Sequence, residues 1–95
     1  MHDYEEEIFI GRLKTVPNLH YTLNGKAICK AMFETTEEDL RLIAWEELAI
    51  ELSKLPKLKV IEISGYRKFN TYLQKEEFVI KEITKGVDDE LSRIE

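Results

Sequence analysis

Hydrophobic positions along the chain fall into short alternating runs, broken once by a run of helical period. Ile8 to Leu13 reads as a first strand, with Ile8 and Ile10 on one face and Phe9 on the other, because successive strand side chains point to opposite sides. A strand apolar on both faces is buried twice or pairs with something. Ile8 and Ile10 are therefore candidates for a self-association surface, the alternative being packing beneath a loop of the same subunit. Asn24-Gly25 is a turn signal, since glycine accepts positive φ without steric cost. A second strand is predicted from about Lys26 to Thr35 and a third from Leu40 to Trp45, joined by the polar turn Thr36 to Asp39. From Glu46 the period changes. Leu48, Leu52 and Leu55 recur at helical spacing with Ala49 beside them, which predicts a helix from about Trp45 to Leu55, ended by Pro56. A fourth strand follows over Lys59–Ser64, with a bulge or bend at Gly65 and an extension through Tyr66–Leu73. A fifth covers Glu77–Ile83, and Val87 to Glu95 reads as a short acidic helix or a frayed end.

Composition narrows the class. The chain has 95 residues with 43% hydrophobic content, which suits one folded domain with a modest core. The expected division is a core over residues 6–83 and an acidic segment over 84–95. No run approaches the ~20 apolar residues of a membrane span. The N-terminus lacks the basic and apolar regions of a signal peptide, so a cytoplasmic location is expected. Cys29 is the only cysteine and sits in an alternating run, where a small buried hydrophobe fits. His2 and His20 are too far apart in sequence to give metal-ligand spacing with it. No metal and no cofactor are expected. No nucleophile–base set or glycine-rich phosphate loop is present either, and Glu5-Glu6-Glu7 and Glu37-Glu38-Asp39 read as solvated charge runs, so the protein is not expected to be an enzyme.

Net charge is −5, which by itself disfavours a polyanionic partner. The charges are segregated, however. Arg12, Lys14, Lys26 and Lys30 lie in residues 11–30 with no acid among them. Lys54, Lys57, Lys59, Arg67, Lys68 and Lys75 share residues 54–75 with Glu62 alone. A fold that joins these blocks gives an acidic protein a local cationic strip.

The order of the pieces resembles the bacterial single-stranded DNA-binding protein family. Ile10-Gly11-Arg12-Leu13 matches its strand ending, and Pro17, Leu19, Tyr21, Thr22, Asn24 and Gly25 match a Pro-x-apolar-basic-Tyr-Thr-x-Asn-Gly loop in which His20 replaces the usual arginine. Trp45 matches an aromatic residue before a helix opening with Leu48-Ala49. Ile63-Ser64-Gly65 leads, as in that family, into a basic-aromatic hairpin with Arg67, Lys68 and Tyr72. The resemblance spans roughly residues 6–83. It implies an all-β fold, a five-stranded OB-fold Greek-key barrel with one short helix between strands 3 and 4.

It further implies single-stranded DNA binding that is non-catalytic and largely sequence-independent, in replication, recombination or repair. Trp45 and Tyr72 are the expected base-stacking residues. Arg41, Arg12, Lys14, Lys26, Lys30, Arg67 and Lys68 are the expected backbone contacts, with Tyr66, Phe69 and Tyr21 as further aromatic area. A homo-oligomer, dimer or tetramer, is expected, with RNA as an alternative strand and a replication or repair protein as a further partner. The chain departs from the family in several places. The hairpin between the second and third strands shrinks to an acidic turn, and Asp39 stands where the family stacks an aromatic. Glu46 and Leu58 stand where it has glycines, and its glycine-rich tail with a phenylalanine tip is missing. These departures support a rival expectation, an OB-fold protein-interaction module with weak or no DNA affinity.

Overall fold

The computed structural model describes residues 5–84; the acidic segment expected at the C-terminus lies outside them. Six strands and one helix follow in the order β1 (Glu7–Leu13), β2 (Asn18–Tyr21), β3 (Ala27–Glu34), β4 (Asp39–Trp45), α1 (Glu47–Ser53), β5 (Val60–Asn70) and β6 (Lys75–Thr84). Five strands close into a barrel in the ring order β1-β5-β6-β4-β3-β1, and β2 adds to the outer edge of β3. All neighbours are antiparallel except β4 and β6. This is the expected OB fold, with the helix between the third and fourth barrel strands. Four residues of the loop between the first two predicted strands, Asn18 to Tyr21, form β2.

Alternation places the core. Leu40, Leu42 and Ala44 of β4 point inward, as do Cys29, Ala31 and Phe33 of β3, Ile61 and Ile63 of β5, and Phe78 and Ile80 of β6. Ala49 and Leu52 of α1 and the following Leu55 pack on the same cluster and close one end of the barrel. Burial pushes the Cys29 thiol pKa up, in keeping with a packing role.

Two glycines permit closure. A Cβ on Gly11 would collide with the Glu34 carbonyl oxygen, and one on Gly65 with that of Val79. Gly65 also sits at the bulge where the β5–β6 register shifts. The two positions noted as departures from glycine, Glu46 and Leu58, both have positive φ, 59° and 72°. At Glu46 ψ is −126°, a combination that is strained for any residue with a Cβ. The strain is held by neighbours. Glu46 N–H donates to Ala27 O (2.8 Å), and Glu46 O accepts from Ala49 N–H and Ile50 N–H to start the helix.

Substitution G65A is expected to cost ~2 kcal/mol or more, since backbone carbonyl cannot yield to the new methyl. At Gly25, where φ is 85° and nothing lies within 4 Å of the added carbon, G25A should cost only ~1 kcal/mol. Urea denaturation of the two variants checks the ranking. In the same assay E46G is expected to gain ~1 kcal/mol by releasing backbone strain.

Candidate functional site

The outward positions of β3, β4, β6 and β5 form one continuous face. Register sets its rows. Lys30 pairs with Ile43, Ile43 with Val79, and Val79 with Tyr66. One step along, Met32 pairs with Arg41 and Glu77 with Lys68, while Trp45 lies opposite Ile28 at the other end. A groove of about 320 Å³ runs over this face. Ile43 and Val79 contribute to it from β4 and β6, together with Trp45, Tyr66, Lys68 and Glu77. A second depression of about 200 Å³ continues past Lys30, Met32 and Arg41 under Leu73 of the β5–β6 turn. The floor is apolar, the flanks carry aromatic rings and cations, and one carboxylate lies among them.

That carboxylate was not foreseen. Glu77 is only 6% exposed. Its Oε1 accepts from Asn70 Nδ2 (3.2 Å). Lys30 Nζ stands 3.4 Å from Oε2, an ion pair whose geometry leaves that oxygen without a hydrogen bond. The signal was the alternation Glu77-Phe78-Val79-Ile80, which puts Glu77 on the face of Val79. Its burial depends on Lys30 and Asn70 from other strands.

The expected site residues divide into groups. Trp45 (40% exposed), Arg41, Lys30 and Lys68 share the grooved face. Tyr66 and Phe69, two of the further aromatic residues expected, also line the groove. Tyr72 projects from the β5–β6 turn and is 96% exposed. Lys26 closes the Asn24-Gly25 turn, its N–H donating to Thr22 Oγ1. Arg12 lies by Ile10 and Val60, in a depression separate from the groove.

Lys14 and Arg67 are held by acids. Lys14 Nζ donates to Asp39 Oδ2 at 2.8 Å, which raises the lysine pKa through that hydrogen bond. Arg67 makes five hydrogen bonds, two each to Glu7 and Glu38 and one to Glu76. Its guanidinium also lies 5.5 Å from the Phe9 ring centre, and Phe9 meets Phe78 edge-on. Hydrogen bonding to Glu38 first, then Glu7, drives the Arg67 pKa further up. The acidic turn therefore differs from the solvated charge run expected from sequence. Glu38 and Asp39 bind cations of the same chain, and Thr35 Oγ1 fixes the turn by accepting from Glu37 and Glu38 N–H.

Among the described residues no three His, Cys, Asp or Glu side chains converge as a metal site. No helix among them is long and apolar enough to cross a membrane.

The Arg67 hydrogen bond holds the Glu38 carboxyl below its ordinary value of 4.5. A depressed folded-state pKa adds stability above the unfolded pKa, and that stability is lost as pH falls through the folded value. E38Q should therefore melt below wild type at neutral pH. The gap should narrow once the pH drops below the ordinary carboxylate range, as Tm measured from neutral to acid pH would show.

No protein-family model and no curated protein matches the sequence. Solved structures do match. The SSB domain of a Synechococcus protein superimposes with a TM-score of 0.79 at 15% identity, over 88% of this chain and 97% of that one. The single-stranded DNA binding protein of Thermus aquaticus gives 0.79 at 24% identity over 86% of this chain, which spans only 40% of its length. PriB of Ralstonia solanacearum gives 0.74 at 13%, over 85% and 96%. At these identities the likeness establishes the OB fold.

Proposed function

We propose that the chain binds single-stranded DNA along the grooved face, without catalysis and largely without reading sequence, in replication, recombination or repair within the cytoplasm. The observation that carries the reading is one face presenting Trp45 and Tyr66 beside Lys30, Arg41 and Lys68 over an apolar floor. Aromatic rings supply sequence-tolerant stacking, and the cations follow the phosphates. The same fold in proteins whose names state single-stranded DNA binding or an SSB domain adds support. Tyr72, exposed on its turn, stacks a further base in this reading. Lys14 and Arg67, hydrogen-bonded to carboxylates away from the groove, are left out of the phosphate track; Lys30 stays in it although it faces Glu77, because it lines the grooved face.

Self-association belongs to the same proposal. Ile8 and Ile10 are 64% and 55% exposed on the outer side of β1 while Phe9 turns inward, so a closed two-fold assembly would cover them. Sedimentation should then give more than the 11.2 kDa of one chain.

The rival reading, a protein-interaction module, draws on the carboxylates that occupy Lys14 and Arg67 and on the net charge of −5. Titration with poly-dT at low salt separates the two. DNA binding predicts that W45A weakens the complex by ~1–3 kcal/mol. R41A should reduce the salt slope by ~0.7, the increment for one single-strand phosphate contact, whereas R67Q should leave the slope unmoved. Absence of any mobility shift at ~20 mM salt, where phosphate contacts are strongest, would favour the interaction module.

A further inference from the structure

A carboxylate in a groove meant for a polyanion repels phosphate, so its burial among Lys30, Lys68 and Asn70 calls for a role beyond backbone tracking. Glu77 lines the main groove, and its Oε2 is fully covered, yet it has no hydrogen bond among the described residues. An ionised carboxylate only accepts. Trp45 and Tyr66 also line this groove. Glu77 stands one same-face step along β6 from Val79, the partner of Tyr66, so a base stacked on Tyr66 can turn its edge toward the carboxylate.

Resting on the single-strand reading above, we infer that Glu77 makes the groove select guanine at one nucleotide position. Guanine alone among the DNA bases places two adjacent donors, N1–H and N2–H, on its Watson–Crick edge, which matches the two oxygens of a carboxylate. Cytosine and adenine offer one amino group beside an acceptor nitrogen. Thymine flanks its N3–H with two carbonyl oxygens, which a carboxylate repels. Binding is an exchange. Lys30 leaves Oε2 for a phosphate and so keeps a charged partner, while Glu77 exchanges the ammonium for the two neutral N–H donors of the guanine edge. The rest of the strand is held by stacking and phosphate contacts that ignore sequence.

The test uses the full chain and a labelled dT oligomer of about nine residues, within the usual footprint of one such domain. It is compared at one low salt concentration with the same oligomer carrying a single central guanine or hypoxanthine. Fluorescence anisotropy should show the guanine oligomer binding about tenfold tighter than all-dT, as a bidentate base contact gives. Hypoxanthine, which keeps N1–H and lacks the amino group, should fall between them. E77Q should erase the preference and tighten all-dT binding by removing negative charge. If E77Q does not fold, the three oligomers on the wild-type protein decide alone. Equal wild-type affinity for guanine and all-dT oligomers overturns the inference and leaves single-strand binding standing. A preference that persists in E77Q also overturns it, by assigning selection to stacking. No binding to any oligomer overturns both readings together.

Discussion

Closing the barrel forces backbone against backbone at two points, and the remaining structure follows from that closure. β1 reaches β5 through Glu7–Arg12 and β3 through Arg12 and Leu13. It can turn from one neighbour to the other because Gly11 lets the Glu34 carbonyl approach. Across the barrel, Gly65 admits Val79 O and shifts the β5–β6 register. The shift matters for the site, because beyond it Tyr66 lies opposite Val79 and Lys68 opposite Glu77. The extra residue is on β6, between Ile80 and Glu82; without it Glu77 and Val79 would be displaced by one and would no longer share a face with Tyr66 and Lys68.

The cations of this acidic chain are thereby sorted by the company that the topology gives them. Arg67 meets Glu38 of the β3–β4 turn and the starts of β1 and β6, and Lys14 meets Asp39, the first residue of β4. Partly exposed pairs of this kind are individually weak. The Arg67 group differs in that one guanidinium uses its five donors at once and covers an aromatic ring. Lys30, Arg41 and Lys68 stand instead on the grooved face, Lys30 in contact with Glu77. A net charge computed over the chain mixes the two populations and hides the division.

Local signals made most of the fold legible in the sequence. The Asn24-Gly25 turn, the period change at Glu46 and the bend at Gly65 each depend on a few neighbouring residues, and each stands where expected. Glu46 and Leu58, read as replacements of glycine, retain backbone angles that suit glycine, so the fold dictates these angles whatever side chain is present. β2 was missed because it is four residues long and contributes only Leu19 to the interior. The site was less legible. Trp45, Arg41 and Lys68 could be placed from strand alternation. The pairing of Arg67 with Glu38, separated by 29 positions, and the burial of Glu77 under residues of β3 and β5 required the long-range register.

The Arg67 group also has a bearing on motion. Its partners come from β1, from the β3–β4 turn and from β6, parts that are distant in sequence and otherwise able to fray singly. One side chain joined to all three makes their openings interdependent, since releasing any carboxylate weakens the anchor of the other two. That end of the barrel should behave as a single cooperative unit, with amide protons near Glu7, Glu38 and Glu76 exchanging at a shared rate. The exposed β5–β6 turn has none of the Arg67 partners; Asn70 ties it to its own backbone and to Glu77 on the grooved face instead, so its amides should exchange independently of that unit.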